Sequence, residues 1–278
     1  MSSKNQKAAG SARGIENMGF HVDGMCFSYE NREVLRDISL GIEAGHFYGI
    51  AGPNGCGKTT FVDLLMGHKL PSSGTITYNG RTLSSYSRKE LAREIALVPQ
   101  NFYINFPFTA GEVVMMGRYP YMSRFSPPSS EDMGVVNAVM EQTGTEKFIN
   151  RYMTELSGGE RQRVVFARAL VQDTPVLMLD EATSNLDINH TLNLLDFVLN
   201  RGENHKKTVI AVVQDINLAA MYCDRMIFMK HGNIAACGDT QNVLTEETIK
   251  TVFDVESNIS FDPYSNSRKV SFRRIVRQ

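Results

Sequence analysis

The residues best equipped for chemistry sit at the ends of short apolar runs. Gly52 to Thr60 reads GPNGCGKTT, a match to G-x-x-x-x-G-K-[ST]. An apolar run, HFYGIA, precedes it and a helical pattern, KTTFVDLLMGH, follows. Glycines in such a turn let successive N–H groups face phosphate oxygens, and the helix N-terminus adds partial positive charge. The spacing predicts an ATP-phosphate cradle made of Gly52, Pro53, Asn54, Gly55, Cys56, Gly57, Lys58, Thr59 and Thr60. Lys58 reaches the β- and γ-phosphates in that reading, and the Thr59 hydroxyl ligates Mg2+. Cys56 is read either as a small residue tolerated where the backbone binds, or as a thiol activated by positive surroundings and shielded by ATP.

Pro175 to Glu181, PVLMLDE, has the pattern of a buried strand ending in two carboxylates. Asp180 at its tip supports Mg2+ through a water or through Thr59, and Glu181 polarises a water for attack on the γ-phosphate. Alone, the acidic pair also fits an ordinary helix start; beside a phosphate cradle the catalytic reading is favoured. Leu156 to Arg163, LSGGERQR, sets Ser157, Gly158, Gly159 and Glu160 before an amphipathic helix. A serine cap with bare glycine N–H groups is another anion site. Two phosphate surfaces far apart in one chain are redundant singly and make sense if two copies sandwich a nucleotide.

The elements that must position these residues follow from the patterning. At 278 residues and 42% hydrophobic, the chain can bury one large core or two small ones. A net charge of −1 argues against a nucleic-acid surface, and no apolar run approaches the roughly 18 residues of a membrane span. Residues 1–18 are small, polar and mildly basic; they read as a disordered tail without the apolar core of a secretory signal. Cys26, Cys56, Cys223 and Cys237 form no CxxC pair, which suits a reducing cytosol. From Phe20 to Ala51 the runs HVDGMCFSY, EVLRDISLGI and HFYGIA predict antiparallel strands turning at Glu30-Asn31 and Ala44-Gly45. After Gly52 the texture becomes α/β, with strand patterns at IALVP, PVLMLD, TVIAVV and RMIFM. Residues 106–160, rich in proline and aromatics and then helical from Glu131 to Glu146, read as a helical insertion. The basic end, SRKVSFRRIVRQ, is a solvated tail or edge element, or else a contact for anionic lipid headgroups.

In that order and spacing, GPNGCGKTT, LSGGERQR and VLMLDE resemble the ATP-binding subunit of ABC transporters. The resemblance runs from Phe20 to about Asp254 and implies an ATPase domain over 19–256, with 257–278 as a C-terminal extension. The implied fold is a P-loop, RecA-like α/β core with an antiparallel β subdomain and an inserted helical subdomain. It also implies a head-to-tail dimer in which each ATP lies between one P-loop and the partner's LSGGE. By position, Tyr29 would stack on the adenine and Gln100 would sense Mg2+ and the γ-phosphate. Asp187, in Ser184 to Asp187 (SNLD), would touch the partner's site. Each also has a plain reading: a strand aromatic, a turn polar, a helix cap.

The departure lies in TVIAVVQDINLAA, Thr208 to Ala220. Gln214 stands where the resembled family carries a switch histidine. An amide can donate one hydrogen bond to the γ-phosphate but cannot become cationic or relay a proton. Losing a comparable donor outright costs about 10²- to 10³-fold in rate, so a retained amide donor predicts a smaller loss, about tenfold to a hundredfold. A slow ATP-gated clamp is therefore a second reading.

Gln100 to Asp132 is dense in aromatics, which suits either a docking groove for another protein's helix or the core of the helical insertion. FTAGEVVMMGRYPY within it is similar to importers of ferric siderophores, haem and cobalamin; zinc and manganese importers are the other relatives. That similarity implies transmembrane permease subunits as partners, a substrate-binding protein indirectly, and a peripheral place on the cytoplasmic face of the membrane.

Overall fold

A computed structural model of the chain describes residues 19–102, 104, 106–123, 126–182, 186–200 and 207–273. The tail expected at 1–18 lies outside the described residues, as do positions 183–185 of the SNLD stretch.

In chain order the elements are β1 (Gly19–Tyr29), β2 (Arg32–Glu43), β3 (Phe47–Ala51), α1 (Lys58–Leu65), β4 (Ser73–Tyr78), β5 (Arg81–Thr82), α2 (Arg88–Glu94) and β6 (Ile95–Val98). Next come α3 (Ala110–Met115), α4 (Ser130–Gln142), α5 (Gly158–Leu170), β7 (Val176–Asp180), α6 (Ile188–Asn200), β8 (Thr208–Val212) and α7 (Ile216–Tyr222). The chain continues through β9 (Arg225–Lys230), β10 (Asn233–Asp239), α8 (Thr240–Val243), α9 (Glu246–Phe253), β11 (Ser257–Asp262) and β12 (Ser267–Phe272).

Three sheets result. The core sheet has the order β10-β9-β3-β8-β7-β6, a four-stranded sheet runs β2-β1-β4-β5, and β11 pairs with β12. β3, β7 and β8 are buried at every residue and pair in parallel, as strands covered on both faces must be. Their alternation splits two cores. Phe47, Leu177, Leu179, Val209 and Ala211 face a core shared with the helices. Tyr48, Ile50, Met178, Ile210 and Val212 face the other, shared with α1 and the antiparallel sheet.

One sequence expectation is corrected here. HFYGIA is not the third strand of the antiparallel run; as β3 it lies between β8 and β9, parallel to both. Its unbroken apolar character is the physical reason, because a half-solvated strand alternates and a central one does not. The place beside β1 is taken by β4, across from β2. Of the two structural readings of the basic end, its described part takes the edge element: β12 packs along α7, where Val270 N donates to Asn217 Oδ1 (2.7 Å) and Asn217 Nδ2 donates to Val270 O (3.2 Å); residues 274–278 lie outside the described residues.

The 106–160 stretch is mostly helical, with α3, α4 and α5 packed together and Val113, Val139, Met140 and Phe166 in their shared interior. Ser129 caps α4 in a reciprocal box with Asp132. Asp132 also takes a 2.9 Å bond from Arg118 Nε, both side chains being about 10% exposed. Arg118→Ala leaves that carboxylate desolvated and unpaired, so a loss of about 3–5 kcal/mol in urea unfolding is expected. Hydrogen bonds from Ser129 and then Arg118 hold the Asp132 carboxyl below its ordinary 3.8. Its contribution is therefore complete above the unfolded value and lost as pH falls through the lower folded one. The difference between wild type and variant should shrink at acid pH, and unfolding curves across pH check it. Among the described residues no helix is long and apolar enough to cross a membrane.

Candidate functional site

The carboxyl ends of the core strands open into a cleft of about 670 Å³. Of the predicted cradle, between β3 and the start of α1, Asn54, Gly55, Gly57, Lys58, Thr59 and Thr60 line it, whereas Gly52, Pro53 and Cys56 do not. Gly57 enters α1 with φ +107°, and a Cβ there would lie 2.6 Å from Leu35 Cδ2, so only glycine turns the chain at this point. The loop is also held from outside. Gly232 N donates to Cys56 O (3.1 Å), and Arg36 N donates to Gly232 O (2.9 Å). Lys58, buried, donates from Nζ to Gly52 O (2.8 Å) and Pro53 O (3.1 Å). A phosphate entering the cradle offers stronger, charge-assisted acceptors for the same ammonium.

Cys56 is 5% exposed and packs in the core. Burial pushes its thiol up, against a smaller downward pull from Lys58. Of its two sequence readings, this favours the small tolerated residue over the activated thiol.

β7 carries both carboxylates. Asp180 ends the strand, buried, and accepts a 3.3 Å bond from Thr59 Oγ1. Burial first, then the nearby Glu181 and Asp63 charges, push its carboxyl up to about 6. Those are conditions a divalent cation would reverse. A hydroxyl and a carboxylate on facing elements are the hard oxygen donors Mg2+ takes when phosphates complete its shell, so the residues fit that ion.

Glu181 stands just past the strand with φ +49°, a left-handed conformation uncommon for a side-chain-bearing residue. Gln100 Nε2 donates to its Oε2 at 2.6 Å, and Gln214 Nε2 donates to the same oxygen at 2.5 Å. Gln100 follows β6 and Gln214 follows β8, the strands flanking β7. Strand order alone thus brings the three ends together. Asp215 then caps α7, accepting from Asn217 N (2.8 Å) and Leu218 N (3.2 Å). Gln162, from α5, donates to Ala182 O (2.8 Å) and anchors the chain just after Glu181.

Tyr29 also lines the cleft, 45% exposed, with Lys69 Nζ 5.2 Å from its ring centroid. Arg32 and Val34 line the cleft too, and the sequence reading passed over both. The signal available was the turn at Glu30-Asn31, which pairs Tyr29 with Arg32.

Ser157 and Glu160 cap α5 reciprocally, Ser157 N donating to Glu160 Oε2 at 2.8 Å and Ser157 Oγ to the same oxygen at 2.8 Å. Neither they nor Gly158 and Gly159 line the cleft of their own chain. Asp187 is also away from it. Its Oδ1 accepts from His190 N (2.9 Å), its Oδ2 lies 2.7 Å from His190 Nδ1, and Arg163 Nη1 is 2.9 Å from the other ring nitrogen.

Residues 35–184 match the family model described as ABC transporter. The cobalamin import ATP-binding protein of Halobacterium salinarum is 38% identical over 254 residues, 91% of this chain and 63% of that one. This chain therefore spans less than two thirds of that relative. The hemin import ATP-binding protein of Rhodopseudomonas palustris is 37% identical over 85% of this chain and 90% of its own length. The iron(3+)-hydroxamate import ATP-binding protein of Bacillus subtilis is 33% identical over 86% and 88%. Among solved structures, an ABC transporter assigned to the metal-chelate type, in an inward-facing conformation, superposes with a TM-score of 0.79 at 26% identity. The alignment covers 94% of this chain and 98% of that one. A dimeric ATP-binding cassette in a post-hydrolysis state bound to ADP and Pi gives 0.70 at 26% identity, over 79% and 98%.

Proposed function

The chain belongs to the ABC transporter family, and on that premise we propose that it binds and hydrolyses ATP to drive a membrane importer. The observation that carries the reading is the convergence of Lys58, Thr59 and Glu181 in one open cleft, with the buried Asp180 bonded to Thr59. In this reading the cradle and Lys58 hold the β- and γ-phosphates, Tyr29 stacks on the base, and Thr59, Asp180 and the free oxygen of Gln100 hold Mg2+. The cation would neutralise charge developing on the transferred phosphoryl group.

Glu181 is the proposed base. Its Oε2, however, is engaged by two amides before any nucleotide arrives. Binding must draw Gln100 toward the cation and Gln214 toward the γ-phosphate, which frees that oxygen to accept a proton from water. Ser157 to Glu160 do not line their own cleft, so in this reading the second anion site serves a second copy of the chain. Two copies, head to tail, would each complete the other's site, with Asp187 near the junction. Closing and reopening of that dimer is a ligand-biased two-state change that moves the permease subunits docked on it.

The names of the relatives favour an iron–siderophore, haem or cobalamin-type cargo; zinc or manganese is the alternative. The Gln214–Glu181 bond favours a second reading, a clamp that binds ATP firmly and turns over slowly. Steady-state Mg-ATP turnover and ATP binding, beside Lys58→Ala, test the core of the proposal. Loss of the buried ammonium should weaken ATP binding at least about tenfold, since a charge-assisted contact contributes about 1.5–3 kcal/mol. Unchanged affinity would remove Lys58 from the phosphate site.

A further inference from the structure

Outside the nucleotide cleft, three polar side chains form a bonded row between α5 and the start of α6. Asp187 Oδ2 lies 2.7 Å from His190 Nδ1, and His190 Nε2 lies 2.9 Å from Arg163 Nη1. None of the three lines the cleft. A guanidinium has donors and no acceptor, so Nε2 must accept from Arg163. The ring is then neutral, carries its proton on Nδ1 and donates it to Asp187. The bond from His190 N (2.9 Å) first, and this ring bond second, hold the Asp187 carboxyl below its ordinary value.

Arg163 depends on that ring. Among the described residues no carboxylate forms an ion pair with it. Its guanidinium lies 5.5 Å from the centroid of Phe148, a ring it shares with Lys147 (5.2 Å) and Arg151 (5.7 Å). Glu160, one turn earlier on α5, is taken up by Ser157 and Arg151. The charged groups about His190 are therefore Asp187 on its own segment and Arg163 on α5, with Lys147, Arg151 and Glu160 beyond Arg163. The residue before Arg163, Gln162, donates to Ala182 O (2.8 Å). Consecutive residues of α5 thus grip both ends of the segment from Ala182 to Asp187, directly at one end and through His190 at the other. Glu181 immediately precedes that segment.

We infer that neutral His190 is a positioning residue for ATP hydrolysis: it ties Asp187 to the helix that begins at Ser157, so that the two segments proposed to meet the second copy move as one body. The inference rests on the head-to-tail dimer reading above and deepens it by naming the link inside each chain. A site assembled from two copies needs its contributing groups held in fixed relation by the residues behind them. With the link open, Asp187 and the LSGGE helix reach the partner independently. The link also has a direction in pH. A cationic imidazole carries N–H groups on both nitrogens. It keeps the Asp187 bond, now charge-assisted, but presents a donor and a like charge to Arg163. The connection exists while the ring is neutral and opens at the Arg163 end as the pH falls through the histidine range.

Steady-state Mg-ATP turnover of the full chain and two variants, followed between about pH 5.5 and 8 where imidazoles titrate, is the test. His190→Gln offers Arg163 an acceptor near the place of Nε2 and does not titrate. His190→Asn keeps a donor near Asp187 and leaves Arg163 without its acceptor. At the alkaline end Asn should turn over about tenfold more slowly than wild type, the factor one charge-assisted bond contributes, and Gln should lie between the two. ATP affinity should be equal in all three, because no member of the link lines the cleft. The ratio of wild type to Gln should fall severalfold toward the acid end, since only wild type loses its link there. Asp180, whose carboxyl is pushed up to about 6, and the nucleotide itself titrate alike in both and cancel in the ratio. Thermal unfolding confirms that each variant is folded; if Asn is not, the ratio of wild type to Gln decides alone. Equal turnover of folded Asn and Gln, or a ratio that does not change with pH, overturns the inference. Gel filtration of Glu181→Gln in Mg-ATP separates it from the reading beneath. A dimer together with a flat ratio removes the link alone, whereas absence of a dimer removes the sandwich and, with it, the role given to His190.

Discussion

Glu181→Gln is expected to lower steady-state Mg-ATP turnover by about 10²- to 10⁴-fold, the range a positioned general base contributes, while leaving ATP affinity nearly unchanged. The substitution keeps length and shape and removes only the charge and the basicity. In the resting site Gln100 and Gln214 donate to one oxygen of Glu181, and the carboxamide oxygen of the variant can accept both. The geometry should therefore survive, including the left-handed backbone at position 181. A base that can no longer take a proton should stall the cycle with ATP in place, so the variant should persist as a nucleotide-bound dimer. Phosphate release together with gel filtration in Mg-ATP measures both quantities. Glu181→Ala is the contrasting control: it also stops turnover, but it releases the two amides and should alter nucleotide affinity. Wild-type turnover in the Gln variant would withdraw Glu181 as the base, and Asp180, already paired with Thr59, would be the carboxylate to examine next.

Much of this site was legible because it depends on local order. GPNGCGKTT between an apolar run and a helical pattern dictates a loop at a strand end. PVLMLDE dictates two carboxylates at the end of another strand, and the fold brings Thr59 to within 3.3 Å of Asp180. What could not be read was which strands are neighbours. β6, β7 and β8 are far apart in sequence and adjacent in the sheet, and only that order brings Gln100, Glu181 and Gln214 onto one oxygen. The same limit explains β3. Its turn at Ala44-Gly45 suggested another hairpin, yet five consecutive buried residues cannot be satisfied at a half-solvated sheet. For β12 the sequence left tail and edge element both open, for a related reason. Its alternation is weak, and what holds it is a reciprocal side-chain bond to Asn217, far away in sequence. His190 is the clearest case, since a histidine near a helix start reads as solvated until Arg163 of another helix proves to be its partner.

The second large effect is expected from Gln214→His, and its direction follows from the bond the amide now makes. Gln214 donates to Glu181 at 2.5 Å from an exposed position next to the Asp215 cap, so the site has a donor at the right place but no proton to exchange. Histidine of similar reach can make the same bond to Glu181 and, when cationic, make it charge-assisted. It can also bond the γ-phosphate through one nitrogen while its ring charge offsets that of the phosphoryl group. Turnover should rise at least about tenfold, less than the roughly 10²- to 10³-fold that a donor lost outright costs because the amide already donates, with little change in KM. The pH profile gives a second readout, independent of rate. Wild-type turnover has no titrating group at this position, whereas the variant should acquire a limb near the ordinary histidine value of about 6.5. A carboxylate partner raises that value, so the charged ring would persist toward neutral pH and be lost as the pH rises through the shifted pKa. A rise in rate with the new limb would mean that the amide is a brake on an otherwise conventional site. Equal rates and superimposable profiles would mean that the γ-phosphate and the attacking water are positioned by Lys58, the cation and Glu181 without help from position 214. The bond from Gln214 would then serve to hold the empty site together rather than to tune its turnover.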